Sequence, residues 1–193
     1  MSRAPVAARN VSPWTRREQL GRVAWSGVQM LIFPLTFRTW FGVRAALLKL
    51  FGARLGINVR VSRTAVVTVP WNLDLADDVS IGEHVILYSL GQIKIGTRSF
   101  VSQYAHLCAG THDYTSTDYP LLKLPITVGS DCWIAADVFV GPNVVVGDRT
   151  VIGARSTVTS DIPADVVAVG APAKAIKPRV LHASSSESPG SNY

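Results

Sequence analysis

An aliphatic residue returns every sixth position between Val128 and Val158, at Val128, Ile134, Val140, Val146, Ile152 and Val158. Six is neither the period of two of a strand nor the 3.6 of a helix, so no single element produces it. A fixed short repeat of this kind is the pattern of a hexapeptide β-helix. Each hexapeptide supplies one short strand and a corner, and three of them close a triangular coil. The aliphatic side chain points inward. The residue after it is often small (Gly129, Ala135, Gly141, Gly147, Gly153), which permits a tight corner, and polar pairs such as Ser130–Asp131 and Asp148–Arg149 face water. Coils stacked at the strand spacing of about 4.8 Å pair their backbones with the coils above and below.

Upstream the return is weaker. It runs Val69, Leu75, Ile81, Leu87, Ile93, slips by two to Ile95, Val101, Leu107, and is interrupted from about Thr111 to Pro125. The period fixes no handedness, and parallel crossovers in general favour right-handed winding. From Thr15 to about Lys49 the pattern reads as helix, broken near Pro34. In its second half Trp40, Val43, Leu47, Leu50 and Phe51 share a face, with Arg38 and Lys49 opposite, Arg44 at the flank and Gly52 as the stop. The expected organisation is a flexible arm over 1–14, an apolar and basic helical segment over 15–56, a β-helix over 57–170 with a loop at 111–125, a C-terminal segment over 171–181, and a disordered Ser-rich tail over 182–193.

Charge changes the picture at one end. Residues 1–60 carry ten Lys and Arg against the single acid Glu18, whereas 61–193 carry nine bases against twelve acids. Such a segment favours an anionic partner. The uncharged run Val23 to Phe37 is 15 residues long and contains Pro34, short of the roughly 20 that a helical span needs. Two readings stand for the helical segment: a lid packed on the core, or an anchor at a membrane interface. Nucleic acid is a poor partner, because the basic residues interleave with an apolar stripe rather than with exposed stacking aromatics. The N-terminus has no apolar leader, and the two cysteines, Cys108 and Cys132, read as free packing thiols of a cytoplasmic protein.

The block from His112 to Arg179, with HDY, PITVG, CWIAA and GAPAKAIK, resembles the hexapeptide-repeat acyltransferases, more narrowly the maltose, galactoside and nodulation O-acetyltransferases. The pieces LLKLFGARLG, VPWNLDL, ILYSLGQIKIG and VSQYAHLCAGTHDY are similar to the subgroup of colanic acid and other exopolysaccharide biosynthesis, so the likeness covers roughly residues 39–179. It implies an all-β fold, a left-handed parallel β-helix with a helical N-terminal segment. It also implies a homotrimer with active sites between subunits, and acetyl transfer from acetyl-CoA to a sugar hydroxyl with no metal required. The acceptor would be free, nucleotide-linked or lipid-linked.

Direct transfer needs a base for a hydroxyl that stays protonated at neutral pH, and a neutral imidazole suits it. His112 stands where the repeat breaks and matches the family's loop histidine; the plain alternative is a solvated loop histidine. Asp113 is a candidate to orient or charge-stabilise it, and a backbone N–H would meet the oxyanion. By the same resemblance Trp133 lines the pantetheine groove, Ala154 and Thr159 lie on its floor, and Ala171, Pro172 and Lys174, with Lys177 nearby, take the adenine and phosphate end. Where close relatives carry serine this chain has Ala136, which removes a hydrogen bond to the arm. Each has a plain reading as repeat, seam or solvated residue. Ser89, Asn72 and Asp74 lie near where relatives orient the sugar, but the correspondence shifts by several residues there and surface turns account for them better. Two rivals remain: a zinc site on His84, His106 and His112, the last two six apart and so at equivalent corners, and a non-catalytic scaffold that binds through the basic helices.

Overall fold

The computed structural model describes residues 14–181, so the arm expected over 1–14, Trp14 apart, and the tail over 182–193 lie outside the described residues. Short strands form three parallel sheets that wrap one core. The first side carries Arg54–Leu55, Leu73–Leu75, Ile93–Ile95, Ile126–Val128 and Val144–Val146; the second carries Arg60–Val61, Ser80–Ile81, Phe100–Val101, Trp133–Ile134, Val151–Ile152 and Val166–Gly170. On the third lie Val66–Val67, Ile86–Tyr88, His106–Cys108, Phe139–Val140 and Thr157–Val158. The β-helix expected from the six-residue return is therefore present.

Register shows why the period works. Leu75, Ile95, Val128 and Val146 stack on the first side, Val61, Ile81, Val101, Ile134 and Ile152 on the second, and Val67, Leu87, Leu107, Val140 and Val158 on the third. All are buried, and each such side chain contributes roughly 1.5–3 kcal/mol by leaving water. The slip at Ile93 and Ile95 also has a cause: from Leu73–Leu75 onward the first-side strands are three residues long, and both end residues point inward. The extra length falls at the corner from the third side to the first, where the turn Pro70–Asn72 sits. The ladder accordingly runs through Val67, and the six-residue step from Val69 to Leu75 is a coincidence of phase.

At the corner between the first and second sides, Asn58, Asp78, Arg98, Asp131, Arg149 and Asp165 all adopt left-handed backbone, with φ from 54° to 61°. Stacked side-chain pairs accompany this: Arg98 grips Asp131 at 2.7 Å through two bonds, and Arg149 grips Asp165 at 2.5 and 2.7 Å. Just before this corner a Cβ on Gly129 would lie 2.6 Å from the Asp148 backbone nitrogen; no side chain fits there.

Helix α1 (Arg16–Leu31) starts with a capping box between Thr15 and Glu18, and α2 (Phe41–Leu50) ends as expected at Gly52, whose φ is +90°. There the Gly52 and Ala53 amides return to the Lys49 and Leu48 carbonyls. Both helices sit over the first coil, whose edge has no strand above it among the described residues. Gln29 accepts from the Val67 amide and donates to the Ala65 carbonyl, and the Trp25 indole donates to the Val67 carbonyl at 2.6 Å. The face predicted for α2 is rotated. Arg44 and Leu48 are buried, whereas Trp40, Val43 and Leu50 are exposed. Arg44 turns inward because it is fully bonded there: it donates to the carbonyls of Val61, Phe37 and Arg38 and to the Thr36 hydroxyl, at 2.6–2.9 Å.

Candidate active site

After Cys108 the chain leaves the third side and returns at Ile126. Between them Thr111–His112 pairs antiparallel with Leu121–Leu122, so a two-stranded ribbon carries His112, exposed, away from the prism. Its Nδ1 lies 2.6 Å from the Tyr119 carbonyl oxygen. A carbonyl only accepts, so Nδ1 holds the proton of the neutral ring, and Nε2 presents its lone pair outward. Tyr119 aims that carbonyl from a left-handed backbone, φ 47°.

Asp113 does not share in this contact. Its carboxylate accepts from the Thr115 amide and hydroxyl at 2.9 and 2.6 Å, and those bonds hold its pKa below the usual range. In this structure the orienting group is a backbone carbonyl, which sequence reasoning missed because any residue at position 119 supplies one.

Trp133 lies half-exposed on the outer surface of the second side, in a column with Phe100, Val151 and Val167. Its indole donates to Ser102 at 2.9 Å, which fixes the ring's orientation. Ser102 belongs to a small-residue column that reads Ser62, Gly82, Ser102, Ala135, Gly153, so polarity alone did not single it out in the sequence. Ala136, Ala154 and Gly170 follow each other at the next corner, so these three positions carry nothing larger than a methyl group. The row of small residues ends at a hairpin: Ala173–Pro178 folds antiparallel over Val166–Gly170, with Ala171 and Pro172 at the turn and Lys174 and Lys177 exposed on the return strand. Trp133, Ala136, Ala154, Ala171, Pro172, Lys174 and Lys177 thus share one surface. Thr159 does not; it follows Val158 at the far end of the third side, in line with Cys108 and Gly141, where the His112 loop departs.

The three histidines stay apart. His84 stacks on Tyr104 at a corner, and His106 lies on the third side between Tyr88 and Phe139. Burial pushes the His106 pKa down, and its Nε2 has no partner among the described residues. His112 is not at an equivalent corner to His106, since the chain has left the coil by then. No group of three metal-binding side chains forms among the described residues. Ser89 bonds the Val69 amide and carbonyl, Asn72 the carbonyls of Ser89 and Leu90, and Asp74 pairs with Arg54, so all three serve the coil. Cys132 is buried, which raises its thiol pKa.

Comparison with known proteins bears on the family and the fold. Residues 125–160 match the family described as bacterial transferase hexapeptide (six repeats). The chain is 46% identical over 156 residues to the Escherichia coli K12 protein named "Putative colanic acid biosynthesis acetyltransferase WcaF", covering 81% of this chain and 86% of that one. Among solved structures it is similar to a maltose O-acetyltransferase of Clostridium difficile (TM-score 0.78, 23% identity, covering 85% and 89%). It is also similar to a galactoside acetyltransferase in complex with coenzyme A (TM-score 0.73, 23% identity, 92% of each chain).

Proposed function

We propose, from the premise that this chain belongs to the bacterial hexapeptide-repeat acetyltransferase family, that it moves acetyl from acetyl-CoA directly to a sugar hydroxyl of an exopolysaccharide precursor. The observation that carries the reading is the His112 imidazole, held by the Tyr119 carbonyl with Nε2 free. Nε2 takes the proton of the acceptor hydroxyl as its oxygen attacks the thioester carbonyl carbon. The tetrahedral adduct then expels the coenzyme thiolate, the C–S bond breaks, and the imidazolium returns its proton to sulfur. Trp133 and the small-residue corner below it form the groove for the pantetheine arm, and Lys174 and Lys177 take its phosphates.

In one protomer His112 and the Trp133 groove lie at opposite ends of the third side. A site that joins them draws His112 from one subunit and the groove from another, which supports a homotrimer. The exposed Leu31, Leu35, Phe37 and Trp40 at the α1–α2 junction, beside Arg38, support peripheral contact with the cytoplasmic membrane surface, and no described helix is long and apolar enough to span it.

The test is His112→Ala against wild type with acetyl-CoA and exopolysaccharide sugars. Turnover should fall at least about 10²-fold while assembly and acetyl-CoA affinity persist. Near-normal turnover would remove His112 from the chemistry.

A further inference from the structure

A cleft of about 360 Å³ opens between the α1–α2 junction and the second side of the first coils, lined by Arg38, Arg60, Arg63, Ser62, Ser80 and Glu83 among others. That is the size of a small-molecule site. Three guanidinium groups face it and only one carboxylate. None of the three arginines forms an ion pair among the described residues, although elsewhere on the coil Arg54, Arg98, Arg149 and Arg155 all do. Beneath the cleft lies the buried Arg44, which fixes the wall: it bonds the Arg38 carbonyl and stacks on Phe41, a lining residue. Its pKa is lowered by burial and then by the charge of Arg63. Among the described residues four cations stand against Glu83 with no ion pair to offset them, and the Ser80 hydroxyl makes no hydrogen bond there.

The position of the cleft restricts its role. Arg60, Ser80, Phe100 and Trp133 occupy successive rungs of one outward column, so the cleft lies about 14 Å along the stripe from Trp133, at about 4.8 Å per strand. It lies on the side of Trp133 opposite Lys174 and Lys177. An anion held there would be separate from the proposed coenzyme phosphate site, though on the same side of the prism.

We infer that Arg38, Arg60 and Arg63 form a subsite for a phosphate or diphosphate ester on the acceptor. This rests on the acetyltransferase reading above, and it makes the acceptor a phosphorylated sugar rather than a free one. Planar guanidinium groups suit phosphoryl oxygens because they donate two parallel bonds.

Titration of the full-length protein with inorganic diphosphate, under saturating acetyl-CoA, tests it against Arg60→Gln/Arg63→Gln, both residues being exposed. The wild type should bind one diphosphate per protomer. The variant should lose roughly tenfold or more in that affinity, as for two lost charged hydrogen-bonding groups, with acetyl-CoA affinity unchanged. Equal diphosphate binding in both proteins overturns the subsite. Acetyl-CoA binding weakened in parallel also overturns it, assigning the cleft to the coenzyme. Flotation with anionic and neutral vesicles separates the sources: anionic-vesicle binding lost with diphosphate affinity intact would make these arginines a headgroup contact and overturn the acceptor assignment. Absence of acetyl-CoA binding in wild type would strike the acetyltransferase reading alone, because diphosphate binding is read independently.

Discussion

The two ends of the β-helix close by different means. At the C-terminal end the last coil is covered by backbone: Ala173–Pro178 pairs strand to strand with Val166–Gly170. At the N-terminal end no described strand covers the first coil, and side chains from two helices bond its edge groups one by one through Trp25, Gln29 and Arg44. Either device protects an edge that would otherwise invite another chain. Their consequences differ. A backbone cap leaves its own side chains free, and Lys174 and Lys177 stand exposed for a ligand. A side-chain cap needs long polar groups turned inward, so it imports charge and leaves the outer apolar face of its helices uncovered.

Removing the buried cation should break this comparison most severely. In Arg44→Met the carbonyls of Val61, Phe37 and Arg38 and the Thr36 hydroxyl lose a donor in a buried setting. Buried acceptors left unpaired cost about 1–3 kcal/mol each, so the loss should be about 3 kcal/mol or more, read as a fall in urea midpoint. A loss under about 1 kcal/mol would mean that the helices hold by apolar packing alone.

A matched pair sharpens it further. Gln29→Ala deletes two bonds to the N-terminal edge and should cost roughly 1–2 kcal/mol. Ser156→Ala, at the other end, deletes only the bond from the Gly170 amide, 3.1 Å, beneath a strand that keeps its ladder, and should cost roughly 1 kcal/mol or less. Equal costs in thermal denaturation would show that the two caps do not differ in their dependence on side chains.

The same contrast explains what was legible in the sequence. The coil was legible because one aliphatic per hexapeptide must point inward, and Val128 to Val158 repeats that demand without interruption. Upstream, both ends of each first-side strand point inward, so Ile93 and Ile95 compete for the phase and the count slips. Helix α2 misled because hydropathy leaves Arg44 at the flank of the apolar face, whereas four acceptors brought together from residues 36–38 and Val61 place it within. At the candidate site, His112 and Trp133 were singled out through resemblance. Tyr119 was not, because it acts through its backbone, and Thr159 was grouped with the groove though the register carries it to another corner. The Arg60–Arg63 cleft was invisible, since only the coil's closure brings Arg38 to it.

Acid should separate the two ends by the smallest of these effects. Asp131 and Asp165 are held below the ordinary carboxylate pKa near 3.8, first of all by the bonds that Arg98 and Arg149 donate. A depressed native pKa contributes stability that is fully present above the unfolded value and is lost as pH falls through the native one. The helical cap's bonds come from groups that do not titrate there: an indole, an amide and a guanidinium. Both aspartates are partly exposed, so solvent screening keeps the contribution small. Between pH 5 and pH 3, protection against hydrogen exchange relative to the intrinsic rate should fall at the Arg149 and Asp165 amides, which lie on the corner ladder, before it falls at the Val67 amide under Gln29. Asp131→Asn should flatten the decline in stability over that interval. Simultaneous loss of protection at both ends, or an unchanged decline in Asp131→Asn, would show that the corner ladder contributes nothing measurable and that the closing devices alone set the order of opening.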